Sequence, residues 1–70
     1  MTGNELQKIR QANKRSQAEF GAIVGVHRTT VSDWEVGTSP VPELVEAVAR
    51  IIDAKPEFLF ELERARGIRQ

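Results

Sequence analysis

The chain of 70 residues has no cysteine and no tyrosine, and only one histidine, one tryptophan and three phenylalanines. Without cysteine, neither a disulfide nor a thiolate metal site can staple the fold. His27 alone cannot build a metal centre, since no carboxylates stand at ligand spacing around it. No metal and no cofactor are therefore expected. A secretory signal, a transit peptide and a long apolar run are all missing, which reads as a soluble cytoplasmic protein that makes no membrane contact. Nothing resembles a nucleophile–base pair, so the sequence points away from an enzyme. Sustained alternation at period two is absent too, which leaves no candidate strand. The length suits one domain with a small core, because a chain of this size buries only roughly 60% of the surface it exposes when unfolded.

Net charge is also lacking: ten cations balance ten anions. That balance argues against indiscriminate binding to nucleic acid. The distribution is uneven, however. Between Lys8 and Thr30 stand Lys8, Arg10, Lys14, Arg15 and Arg28 against Glu19 alone. Between Val31 and Glu63 stand Arg50 and Lys55 against Asp33, Glu35, Glu43, Glu46, Asp53, Glu57, Glu61 and Glu63. Arg64, Arg66 and Arg69 then make a basic tail. The first half suits a polyanion, and the second half suits something else.

Helical spacing is present throughout. Leu6, Ile9 and Arg10 share one face of a first helix over roughly residues 3–13. The segment "SQAE" is a capping box, with Ser16 as N-cap and Glu19 three residues on, opening a second helix over Gln17–Val24. Phe20, Ile23 and Val24 should point inward, and Gly25 ends the helix in the left-handed conformation that a C-cap favours. A third helix starts near Arg28 and buries Val31 and Trp34. Pro42 falls in the first turn of a fourth, with Leu44, Val45, Val48, Ala49 and Ile52 as its apolar stripe. Pro56 opens a fifth, carrying Phe58, Leu59 and Leu62. The expectation is all-α: five helices in a single domain over residues 1–63, followed by a basic tail over 64–70.

Two glycines four apart, in "GAIVGVHRTTVSDWE", sit awkwardly in helical sequence. A mid-helix glycine costs about 1 kcal/mol relative to alanine. Two helices crossing steeply through a short turn resolve this, since the crossing needs a small residue at Gly21 and the turn needs Gly25. Counting Gln17 as the first residue of such a unit, Phe20, Val24, Val26, Val31 and Trp34 occupy the fourth, eighth, tenth, fifteenth and eighteenth places. Each of those places demands an apolar side chain in a helix-turn-helix.

"RSQAEFGAIVGVHRTTVSDWEVG" resembles the helix-turn-helix of the phage-repressor and Cro class, the xenobiotic-response-element family. The likeness runs from Leu6 to about Phe60, with "KPEFLF" similar to the closing helix of that family. It implies a compact five-helix, lambda-repressor-like DNA-binding domain with the helix-turn-helix unit at about residues 17–36. The third helix of such domains enters the major groove, usually from a symmetric dimer. Residues at the base-reading positions are Arg28, Thr29, Ser32 and Asp33. Arg28 suits a bidentate contact to guanine O6 and N7, and Asp33 either accepts from cytosine N4 or is a plain surface acid. Gln17 matches the phosphate clamp at the start of the second helix, where free amides favour anions. Lys14 and Arg15 stand where the family usually has glycine and leucine, and they add phosphate contacts there or remain solvated cations. His27 replaces the usual serine or threonine cap and, with Thr30, Thr38 and Ser39, extends the phosphate contacts. Arg10 and Glu35 match a structural ion pair.

Four large apolar residues in five, Phe58, Leu59, Phe60 and Leu62, exceed what one helix face buries. They are expected either to form a homodimer interface or to close the core. The leading reading is a transcriptional regulator, Cro- or repressor-like, that binds a two-fold symmetric operator in double-stranded DNA as a dimer. The alternative is an antitoxin-type protein-interaction module, whose C-terminal helices take a protein partner such as a toxin or polymerase, with DNA secondary.

Overall fold

The computed structural model describes residues 1–68, and capping chemistry sets where its helices begin. The helices are α1 (Gly3–Ala12), α2 (Gln17–Val24), α3 (Arg28–Val36), α4 (Glu43–Ala54) and α5 (Glu57–Ala65). No strand occurs among the described residues. At Ser16 the box closes both ways: its Oγ accepts from the Glu19 N–H at 3.0 Å, and the Glu19 carboxylate accepts from the Ser16 N–H at 2.8 Å. The same reciprocal box joins Thr2 and Glu5 at the start of α1, a second S/T-x-x-E match that the reading of the sequence passed over.

All five helices feed one core. α1 supplies Leu6 and Ile9, α2 supplies Phe20 and Ile23, and α3 supplies Val31 and Trp34. α4 lies across them with Val45, Ala49 and Ile52, and α5 adds Leu59 alone to the fully buried set. Each large side chain so buried contributes roughly 1.5–3 kcal/mol relative to exposure.

Two apolar expectations change. Leu44, assigned above to the stripe of α4, is 78% exposed. The buried stripe runs through residues 45, 49 and 52. Leu44, Val48 and Ile51 are rotated to its flank, where no element covers them fully. In α5, Leu59 is 2% exposed and belongs to the core, not to a subunit interface. Phe58 and Leu62 are half-buried against the core, whereas Phe60 faces out at 52%.

α5 ends at Ala65. Gly67 takes a left-handed φ of 73°, and the Ile68 N–H returns to the Glu63 carbonyl at 2.8 Å. Ile68 thereby packs back on the core. Arg69, part of the expected basic tail, lies outside the described residues.

Candidate nucleic-acid interface

The α2–α3 turn is built around the two glycines. Gly25 caps α2 at φ 81°, and the Val26 N–H donates to the Gly21 carbonyl at 2.8 Å. A β-carbon on Gly21 would stand 2.6 Å from the Val26 carbonyl oxygen, closer than any real contact allows. Hydrogen in place of a side chain is what lets the turn fold back on α2.

With Val31 and Trp34 turned into the core, helical rotation points Arg28, Thr29 and Asp33 to solvent, with Ser32 half-exposed beside them. These four are the base-reading residues expected above, and they share one outward face. Arg28 and Asp33 have no ion-pair partner among the described residues. Thr38 and Ser39 follow α3 with both N–H groups folded onto the Asp33 carbonyl, at 2.9 and 3.2 Å.

His27 takes the place of an N-cap hydroxyl. Its Nδ1 accepts from the Thr29 N–H at 3.2 Å and lies 3.0 Å from the Thr29 Oγ1. Acceptance at Nδ1 leaves Nε2 carrying the hydrogen. Thr30, in the first turn of α3, is half-buried.

The other end of the interface is α2. Gln17 sits at its first position, with Nε2 donating to Glu35 Oε1 at 3.1 Å. Glu35, at the end of α3, is held by Arg10 through Nε at 2.6 Å and Nη2 at 2.9 Å. The pair is almost dry, with side chains 10% and 2% exposed. The bond to Glu35 raises the Arg10 guanidinium above its ordinary range against the opposing effect of burial. Arg10 uses its remaining Nη1 on the Arg15 carbonyl at 2.7 Å, tying down the α1–α2 turn.

Arg15 has a different role from the phosphate contact expected of it. Its Nε and Nη2 donate to the two oxygens of Glu63, both at 2.9 Å, and Nη1 donates to the Asn13 carbonyl at 3.0 Å. Every nitrogen of the guanidinium is committed, and Phe60 covers it with its ring centroid 5.7 Å away. The bond to Glu63 raises Arg15 as Glu35 raises Arg10. Glu63 was missed by sequence reasoning, although its spacing of four from Leu59 places it on the buried face. Lys14 stays exposed and adopts φ 57°, a left-handed conformation that glycine accepts more readily.

These pairings revise the charge map. Two of the five cations between Lys8 and Thr30 are spent inside the molecule, leaving Lys8, Lys14 and Arg28 to face outward. Glu35 and Glu63 are likewise neutralised, and Glu46 meets Arg50 and the N-terminal ammonium. The outward basic field is therefore modest. Among the described residues no helix is long and apolar enough to cross a membrane.

Comparison with known proteins agrees with this geometry. A helix-turn-helix family model matches residues 6–59. The chain is also 35% identical over 51 residues to the antitoxin PezA of Streptococcus pneumoniae serotype 4. That match covers 71% of this chain but 32% of PezA, so the chain spans about a third of that relative's length. No solved structure matches.

Proposed function

This chain belongs to the Cro/C1-type helix-turn-helix family of DNA-binding transcriptional regulators, and we propose that it reads a two-fold symmetric operator as a homodimer, in the manner of a repressor or Cro. The observation that carries this reading is the outward face of α3, where Arg28, Thr29, Ser32 and Asp33 stand together opposite Val31 and Trp34. Arg28 takes guanine, Thr29 and Ser32 take neighbouring base edges, and Asp33 takes a cytosine amine. Gln17, Lys14, His27, Thr30, Thr38 and Ser39 supply the phosphate contacts that set register. A second copy meets the exposed apolar side chains of α4 and α5, namely Leu44, Phe60 and the half-buried Phe58 and Leu62.

Selection of random duplexes by the purified protein at roughly 100 mM salt, followed by a salt series, tests this reading. Enrichment of a two-fold site supports it. Loss of preference at a single guanine in Arg28→Ala, at about 1–3 kcal/mol, assigns that residue. No enrichment, with weak binding that collapses as salt rises, overturns it.

The similarity to PezA favours a second reading, in which α4 and α5 hold a protein partner while α3 acts on DNA. Tight binding to DNA by the isolated protein counts against a purely protein-binding role.

A further inference from the structure

Gln17, the phosphate contact that the DNA reading assigns to the start of α2, and Glu35 at the end of α3 are wired to α5. Glu63 of α5 holds Arg15 by two bonds of 2.9 Å. The carbonyl of Arg15 is held in turn by Arg10 Nη1 at 2.7 Å, and Arg10 grips Glu35. Glu35 holds the Gln17 amide at 3.1 Å. One unbroken polar chain thus runs from α5 through the α1–α2 turn to the end of α3 and the first residue of α2. None of its side chains is fully exposed, and no buried side-chain polar atom among the described residues lacks a partner.

α5 is seated by this chain as well as by apolar burial. Among the described residues α5 contributes Leu59 to the buried apolar core, with Phe58 and Leu62 half-buried against it. The bidentate pair to Glu63, with Phe60 lying on the Arg15 guanidinium, is a further, polar anchor. Removing Arg15 strands a carboxylate that is 3% exposed, and removing Glu63 strands an arginine that is 11% exposed. Either loss makes the docked position of α5 unfavourable, because an unpaired charge does not stay in a dry site.

We propose that Arg15 and Glu63 are positioning residues for the DNA face, so that loosening their pair weakens DNA binding. The inference rests on the DNA-binding reading above. The mechanism is geometric. The amide nitrogen of Gln17 carries two hydrogens, and Glu35 takes one. The second has no acceptor among the described residues, and in the DNA reading it is available to a backbone phosphate. Slack at Arg15 passes to Arg10, from Arg10 to Glu35, and from Glu35 to that second hydrogen and to the tilt of α3.

The test uses the whole chain with Glu63→Gln, Arg15→Met and the charge-exchanged pair R15E/E63R. Nitrogen-15 NMR follows the Arg10 Nε–H and the Gln17 side-chain amide, and fluorescence anisotropy follows binding to the selected duplex. The expected result is that E63Q and R15M both move the Arg10 and Gln17 signals and weaken the duplex by at least about fivefold. The exchanged pair should recover most of that loss, with binding compared at a temperature where circular dichroism shows every variant folded. If the perturbation stays within α5 and residues 13–16, or affinity is unchanged, the proposal is overturned. The two readings fail separately. A wild-type protein that binds no selected duplex sinks the DNA reading, while the NMR signals still report whether α5 is coupled to Gln17.

Discussion

Arg10 and Glu35 meet across α1 and α3 through two hydrogen bonds of 2.6 and 2.9 Å, with both side chains nearly out of water. Breaking such a pair from one side leaves an uncompensated buried charge, at about 3–5 kcal/mol. A domain of this size has roughly 4–10 kcal/mol in total. Glu35→Ala should therefore leave the protein largely unfolded near 37 °C by circular dichroism. Replacing both residues with methionine should cost much less, since an apolar pair of similar volume strands no charge. A double variant as unstable as the single would contradict this account.

The glycines separate into steric and conformational cases. A β-carbon at Gly3 would fall 2.1 Å from the Trp34 carbonyl, and one at Gly21 would fall 2.6 Å from that of Val26. Both neighbours are backbone and have nowhere to go. Gly37 meets nothing within 4 Å but has φ 88°. Alanine at 3 or 21 should cost more than alanine at 37, where only the left-handed conformation opposes it, at about 1–2 kcal/mol. Urea midpoints of the three variants give the order directly.

Lys14 holds a left-handed φ of 57° without being glycine. Lys14→Gly removes that strain, and the variant should gain about 0.5–1 kcal/mol, a rise in Tm of roughly 3–8 °C. If Lys14 also touches a phosphate, the same variant binds DNA more weakly, and its salt dependence is shallower by about one ion. Stability and affinity should thus move in opposite directions. A thermal melt with no gain would show that the turn tolerates lysine freely.

Three carboxylates titrate below their ordinary range because the fold donates to them. Glu5 is lowered chiefly by the Thr2 N–H, and Glu19 by the Ser16 N–H. Glu46 is lowered first by the N-terminal ammonium and then by Arg50. A carboxylate whose pKa is depressed on folding adds stability above its unfolded pKa, which it loses as pH falls through the folded value. Stability should be flat near neutrality and decline from about pH 4.5 downward. Glu5→Gln and Glu19→Gln should each flatten that acid limb, as read by Tm against pH. An unchanged slope in both variants would remove the capping boxes as its origin.

Much of the fold is legible in residue order because its signals are local. Ser16 with Glu19, Gly25 after Val24, and Val31 with Trp34 each act within one or two helical turns. They mark where α2 and α3 start, stop and face before any tertiary contact forms. The outward face of α3 follows by rotation alone, so Arg28, Thr29, Ser32 and Asp33 stand together as their spacing requires. The family resemblance draws on the same short-range pattern.

What residue order left open was decided by contacts between residues far apart along the chain. Lys14 and Arg15 read alike as cations, yet one points to water and the other is locked onto Glu63, 48 positions later. Leu44 and Leu59 read alike as apolar stripe residues, yet one is exposed and the other buried. The physical reason is common to both cases. Helical periodicity determines which side chains share a face, whereas only the packing of a second helix determines whether that face is covered and which charges lose their water.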